Sequence, residues 1–181
     1  MNVFSQRLLE RKKMIMITIR KMNVEDIDAL YDAFLKQGWH PNKETYMKYF
    51  NQQEKGERQV FVAEINDIPV GYITLVPKAK SGPFVDVGYP ELKDFNVLEA
   101  YQKQGIGTKL LDEAEHVAKQ YSDFISLAVG LHAGYGSAQR LYIKRGYIPD
   151  GSGVWYQDKV LTPYTSCMND DDLILYMCKR L

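Results

Sequence analysis

Gln102-Lys103-Gln104-Gly105-Ile106-Gly107, followed by Thr108-Lys109-Leu110-Leu111, is the stretch whose reading decides the fold of this chain. Before it, Leu92 to Leu98 reads as a strand. After it, Leu110, Leu111, Ala114, Val117, Ala118 and Tyr121 recur at helical spacing, with Asp112, Glu113, Glu115, Lys119 and Gln120 on the other side. A strand therefore runs into a glycine turn that opens an amphipathic helix. The helix start presents unpaired backbone N–H groups and the positive end of the dipole. Two glycines let a bulky anion approach that backbone with no Cβ in the way, so the stretch predicts a phosphate-type anion site.

Two other phosphate loops are excluded by spacing. The dinucleotide fingerprint G-x-G-x-x-G needs a third glycine where Leu110 stands, and G-x-x-x-x-G-K-[ST] has no match. A nucleotide-binding protein of either kind is disfavoured accordingly.

Working outward, Met14 to Arg20 reads as a first strand, preceded by an irregular segment that ends in Arg11-Lys12-Lys13. Residues 1–13 are expected to be an N-terminal extension or the product of an upstream start codon, with a short helix allowed over Ser5 to Arg11, and 14–181 to be one domain. Asn23 is placed to cap a helix whose buried stripe is Ile27, Leu30, Tyr31 and Phe34, stopped by Gly38. A second helix is expected from Lys43 to Gln53. Strands over Gln59–Ile65 and Ile68–Val76 form a hairpin about Asn66-Asp67, and Pro77 to Pro90 is a longer connection. Beyond the glycine loop, Phe124 to Leu131 is near-continuously apolar, as a strand buried on both faces would be. A helix follows with Ala138, Leu141 and Tyr142 inward, capped by Ser137 and ended by Gly146. Gly153–Gln157 is expected as a strand, Asp158–Asp171 as a long loop and Leu173–Lys179 as the last strand.

Composition narrows the function classes. Lys plus Arg and Asp plus Glu both number 23, so the formal net charge is zero and no large nucleic-acid or anionic-membrane surface is indicated. No apolar run is long enough to span a bilayer, and the start lacks a signal-peptide core. Two cysteines, Cys167 and Cys178, have neither disulfide-framework nor metal spacing, which favours a reducing, cytoplasmic setting and no metal.

A second constellation stands one helix and one strand after the glycine loop: Ala138-Gln139-Arg140-Leu141-Tyr142-Ile143-Lys144-Arg145-Gly146-Tyr147. With Q-x-x-G-x-G at Gln102–Gly107, this A-x-x-L-Y-x-x-x-G-[FY] pattern resembles the GNAT superfamily of acyl-CoA-dependent N-acetyltransferases. The likeness runs from about Ile17 to the C-terminus and is tightest from Asp94 to Tyr147. It implies an α/β fold of the α+β type: one domain, with a mixed, mostly antiparallel sheet of about seven strands and about four flanking helices. The two central parallel strands, Leu92–Leu98 and Phe124–Leu131, would splay apart.

The resemblance also implies site residues. Phe95, Asn96 and Val97 would run beside the pantetheine arm of acetyl-CoA. Gln102, Lys103, Gln104, Gly105, Ile106, Gly107 and Thr108 form the pyrophosphate loop, and a main-chain N–H near Val97 would polarise the acetyl carbonyl. Tyr142 matches the tyrosine that protonates the leaving thiolate. Tyr135 stands where the family often carries an asparagine against the cofactor arm, and Gly130 where some members carry a glutamate. The general base is left open among Asp94, Glu91, His132 and an ordered water.

The acceptor would be a small-molecule amine or a peptide amine. Trp39, Tyr46, Tyr89, Trp155, Tyr156 and Tyr164 are candidates to line its cleft, and Asp86 or Glu91 to attract a cation. A homodimer is compatible with the pattern. A CoA-binding or sensing module with the fold but no turnover is the rival reading, permitted by Tyr135 and Gly130 and opposed by Tyr142.

Overall fold

A computed structural model describes residues 16–181. The expected extension over residues 1–13, the optional helix within it, and Met14 and Ile15 lie outside the described residues. Eight strands form one sheet in the order β1-β2-β3-β4-β5-β8-β6-β7. They are β1 (Ile17–Lys21), β2 (Gln59–Ile65), β3 (Ile68–Val76), β4 (Glu91–Val97), β5 (Phe124–Gly130), β6 (Ile148–Tyr156), β7 (Lys159–Val160) and β8 (Leu173–Arg180). The helices are α1 (Asp26–Lys36), α2 (Lys43–Glu54), α3 (Ile106–Ala118) and α4 (Gly136–Lys144), with single 3₁₀ turns at Glu99–Tyr101 and Ala133–Tyr135.

Every strand contact is antiparallel except one. β4 and β5 run parallel and pair only at Glu91 with Ser126 and Leu92 with Leu127. Beyond those two rungs the strands part, while β4 stays on β3 as far as Val97 and β5 stays on β8 as far as Gly130. The sheet is thus held shut on both outer sides and opens as a V in its middle. The expected splay of the central parallel pair is present.

The core explains the central placement of β3. All but one of its residues are buried, so it reads as an apolar run rather than an alternating one. Leu110, Leu111, Ala114 and Ala118 of α3 are fully buried in the same cluster as Ile73 and Leu75, which fixes the helix and hence the loop before it. Each such leucine contributes about 1.5–3 kcal/mol through burial. Behind α3, Glu115 accepts hydrogen bonds from Arg145 Nε (3.0 Å), Arg145 Nη2 (2.7 Å), Tyr147 Oη (3.0 Å) and Lys179 Nζ (2.7 Å). One carboxylate thereby ties α3 to the end of α4 and to β8.

Several expected boundaries move. Asn23 does not cap α1. The helix begins at Asp26, and the Asp26 carboxylate instead accepts from the Asn23 N–H (2.7 Å) and from both terminal nitrogens of Arg20. Ser137 lies inside the first turn of α4, whose cap position is Tyr135. β6 starts at Ile148, five residues ahead of the expected Gly153, because a register shift between Pro149 and Val154 hides the period-2 pattern. The loop expected from Asp158 opens instead as a tight hairpin, with Gln157 and Asp158 both at positive φ, leading into β7.

Candidate active site

Two cavities meet at the opening of the V, and both are walled by Phe95 and Ala138. The first, of about 290 Å³, lies at the start of α3 against Val97, Tyr101, Gln102, Lys103, Gly105, Gly107, Thr108, Ser137 and Leu141. Gly105 occupies the cap position with φ +84°, a left-handed conformation that favours glycine. Gly107 needs its missing side chain for a different reason: a Cβ there would stand 3.0 Å from Cζ of Phe95. Five of the seven expected loop residues line this cavity. The other two support it. Ile106 points into the core, and Gln104 Nε2 donates to the Ala100 carbonyl (3.2 Å). Gln102 Nε2 donates to the Val97 carbonyl (3.0 Å), which fastens the loop to the end of β4. Main-chain donors at a helix start, one lysine and an apolar wall suit a diphosphate with an extended arm.

The second cavity, of about 470 Å³, fills the V itself. Glu91 to Asn96 form one wall, Ala128 to Gly130 the other, and Tyr135, Ala138, Tyr142, Asp171, Asp172 and Ile174 complete it. Asn96 belongs here rather than to the first cavity, with its Nδ2 donating to Tyr72 Oη (3.1 Å). Tyr142 is 7% exposed, its ring 6.4 Å from Phe95 and 5.7 Å from Tyr147. Burial raises its pKa well above that of an ordinary phenol, and nearby Tyr135 adds to the shift. The hydroxyl therefore keeps its proton at neutral pH.

Four candidates for proton abstraction separate by their hydrogen bonds. The Gly134 N–H donates to His132 Nδ1 (3.1 Å), so that nitrogen carries no proton, and Nε2–H is directed at Asp171 Oδ1 (3.0 Å). Neither ring nitrogen is free to take a proton from a substrate. Asp94 accepts from Tyr49 Oη and holds a left-handed backbone, φ +44°, in the bulge where β4 loses register with β3. Glu91 is different. It is 1% exposed, its Oε2 has no hydrogen-bond partner, and Lys93 Nζ stands 3.4 Å from it. Burial raises its pKa, against the opposing pull of Lys93 and Arg58. An ordered water, the fourth candidate, would act by relaying the proton to one of these groups.

Tyr135 is spoken for. Its hydroxyl donates to Asp171 Oδ1 (2.9 Å), and burial together with that bond pushes its pKa up to about 12. Its ring crosses β5 so closely that a Cβ on Gly130 would overlap it. Tyrosine at one position and glycine at the other are therefore one steric arrangement, which the spacing of the sequence does not reveal.

The aromatic candidates for the acceptor cleft do not converge: none of the six lines either cavity. Trp39 stacks on Phe34, Tyr46 meets Tyr72 edge-on, Tyr89 stacks on Phe124, Trp155 packs on Tyr176, Tyr156 lies by Asp170, and Tyr164 is fully exposed. Asp86 is exposed and lines neither cavity, whereas Glu91 does line the V. Asp171 and Asp172 were hidden in a run of four polar residues before the last strand, and nothing in that run distinguishes them. Among the described residues no His, Cys, Asp and Glu cluster suits a metal ion, and no helix is long and apolar enough to cross a membrane.

The sequence model of the Acetyltransferase (GNAT) family matches residues 24–147. No curated protein sequence matches the chain. Solved structures with the same fold include a ribosomal-protein-alanine N-acetyltransferase from Brucella melitensis, 20% identical, with a TM-score of 0.66 over 91% of this chain and 99% of that one. Another is the ribosomal-protein-S18-alanine N-acetyltransferase from Escherichia coli, 18% identical, with a TM-score of 0.64 over 91% and 94% of the two chains. A third is an aminoglycoside 6'-N-acetyltransferase complexed with coenzyme A, 20% identical, with a TM-score of 0.63 over 90% and 96%.

Proposed function

The chain belongs to the GNAT acetyltransferase family, and on that premise we propose that it transfers an acetyl group from acetyl-CoA to a primary amine by direct attack. The observation that carries this reading is the continuity of the two cavities through Phe95 and Ala138. A phosphate-binding helix start opens directly onto the V that holds Tyr142 and Glu91. The similar structures named above, two alanine N-acetyltransferases and one aminoglycoside N-acetyltransferase, lend further support.

In this reading the amides from Lys103 to Thr108 hold the pyrophosphate, and Phe95, Asn96 and Val97 guide the pantetheine arm, with the Tyr135 ring closing the opposite wall. Acetyl-CoA supplies the activated thioester. Glu91, raised in pKa and with Oε2 making no hydrogen bond beside Lys93, takes the proton that the incoming ammonium must lose, directly or through one water. A main-chain N–H of β4 near Val97 stabilises the oxyanion that develops at the acetyl carbonyl. Tyr142 donates its proton to the departing thiolate, a role its raised pKa suits because the phenol is fully protonated beforehand. Nitrogen loses two protons between ammonium and amide. Glu91 takes the first before attack. The second, released as the tetrahedral intermediate collapses, restores through water the proton that Tyr142 gives to sulfur. The net product is free thiol, amide and the one proton that Glu91 returns to solvent.

The test is transfer itself. Acetyl-CoA and a panel of primary amines are expected to give free thiol and acetylated amine in equal amounts. Acetyl-CoA binding without transfer to any amine would return the protein to the reading of a cofactor sensor.

A further inference from the structure

The V carries a charge that acetyl transfer alone does not require. Glu91, Asp94, Asp171 and Asp172 line it against one cation, Lys93, in a chain whose formal net charge is zero. Asp171 is the informative member. It is exposed at the mouth of the cavity, yet its Oδ1 is fixed by two donors, His132 Nε2 and Tyr135 Oη. Nδ1 of His132 accepts the Gly134 amide N–H, which leaves Nε2–H as the donor to Asp171, and the Tyr135 phenol keeps its proton because its pKa is pushed up. The hydrogen bonds from His132 and Tyr135, with a smaller electrostatic pull from His132, hold the Asp171 carboxyl below the usual carboxylate range, so it is ionised at neutral pH and stays exposed to a second partner. A carboxylate that is oriented but not neutralised is a preorganised partner for a cation. Independently, the inner wall of the same cavity holds Glu91, which is fully buried with an oxygen that lacks a hydrogen bond.

We propose that the acceptor is an aliphatic amine bearing a second ammonium group: one nitrogen reacts at the Glu91 and Tyr142 end of the V while the other is held, still charged, by Asp171 at its mouth. The inference rests on the acetyltransferase reading and names its substrate class. It is more selective than attraction of cations by an acidic surface. The reacting nitrogen must give up its proton to Glu91 before it attacks, so only a distal ammonium can keep its charge against a carboxylate throughout the reaction. Asp172, beside Asp171 in the same rim, adds to the local negative field.

Matched pairs of probes isolate the second charge. Cadaverine and pentylamine share a five-carbon chain, and putrescine and butylamine a four-carbon chain, each pair differing by one terminal ammonium. The expected kcat/KM favours the diamine by at least about tenfold, or ~1.4 kcal/mol, the size of a charge-assisted hydrogen bond. Asp171→Asn keeps the two donors satisfied in part, removes the charge, and is expected to collapse the diamine-to-monoamine ratio toward one. A purely structural role for Asp171 would lower both amines together and leave the ratio intact, which would overturn the assignment. Equal turnover of diamine and monoamine by the unaltered protein would overturn the substrate class and leave acetyl transfer standing. So would acetylation of a neutral peptide N-terminus but of neither diamine. Release of no thiol with any amine, from protein that still binds acetyl-CoA, would overturn both.

Discussion

The two cavities that share Phe95 are built on opposite principles. The cavity at the start of α3 is assembled from one continuous stretch, Val97 to Thr108, plus one face of α4, and two of its lining residues are glycines that leave the main chain open. The V is assembled from side chains contributed by β4, β5, the turn before α4 and the segment before β8, and its chemistry is carboxylate and phenol. A main-chain site tolerates change in most side chains and fails when a Cβ intrudes. A side-chain site fails one charge at a time. Substitutions should therefore separate along this line, with cofactor affinity moved by sterics and turnover moved by isosteric loss of a proton carrier.

The largest effect is expected in the V. Positioned acids and bases typically contribute ~10²–10⁴-fold. Glu91→Gln, isosteric but unable to take up a proton, should lower kcat by about two orders of magnitude with acetyl-CoA affinity retained. Because the Glu91 pKa is raised, kcat/KM in the unaltered protein should fall as pH drops through that raised value, where the base becomes protonated, and this acid limb should vanish in Glu91→Gln. Tyr142→Phe keeps the ring against Phe95 and Tyr147 and should cost at least about tenfold in turnover, with stability near native. Wild-type rates in both variants, with chemistry rate-limiting, would remove the proton carriers from the V.

Next comes the wall of the cavity at the start of α3. Gly107→Val places side-chain atoms where Phe95 Cζ would already be 3.0 Å from a Cβ, so the ring must shift into the cavity shared by the two sites. Calorimetry should report acetyl-CoA affinity lower by at least about tenfold in a folded protein. Unchanged affinity would move the pyrophosphate away from this loop.

The same division accounts for what sequence reading reaches. The strand, glycine loop and α3 are local: a period, a turn and a helix start all lie within one run. The V is not local, since its two rungs join Glu91 to Ser126 and Leu92 to Leu127, and only the family resemblance implied it. The hairpin about Asn66 and Asp67 is equally local. The acceptor side is not. Asp171 reaches Tyr135 across 36 positions and Tyr49 reaches Asp94 across 45, so no window of sequence contains either pair. His132 has the right intrinsic chemistry for a base, and only the hydrogen bonds at both ring nitrogens remove it. The aromatic candidates failed for a related reason. Aromatic side chains pack against one another wherever the core allows, and theirs is mostly outside the V.

Both cavities lean on α4, and a smaller effect should expose its fastening. Glu115 is buried, and burial alone would raise its pKa, but the hydrogen bonds from Arg145 and Lys179 outweigh it and leave the pKa lowered. The lowered folded value means that its stabilisation is fully present above the unfolded carboxylate pKa and is lost as pH falls through the folded one. Glu115→Gln should cost about 1–2 kcal/mol at neutral pH, with solvent around the outer partners discounted, and should flatten the acid side of the stability profile. An unaltered Tm across pH would show that α4 is held by packing alone.

The smallest effect tests whether Asp94 belongs to the chemistry of the V or only to its shape. Its φ of +44° is a left-handed conformation that costs an L-residue about 1–2 kcal/mol and glycine almost nothing. Tyr49, under the guanidinium of Arg58 at 4.5 Å from its ring centroid, donates to the Asp94 carboxylate and offsets that cost. Asp94→Gly removes the hydrogen bond and the strain together, so the two changes oppose each other and stability should move by less than about 1 kcal/mol. Tyr49→Phe removes the hydrogen bond and leaves the strain, so it should be the more destabilising of the two, by about 1–2 kcal/mol. Turnover should follow the backbone rather than the charge, with Asp94→Gly keeping kcat within about fivefold, far short of the loss expected for a general base. A loss in Asp94→Gly as large as that in Glu91→Gln would put the proton on Asp94 instead, and the bulge in β4 would then be the device that presents the base.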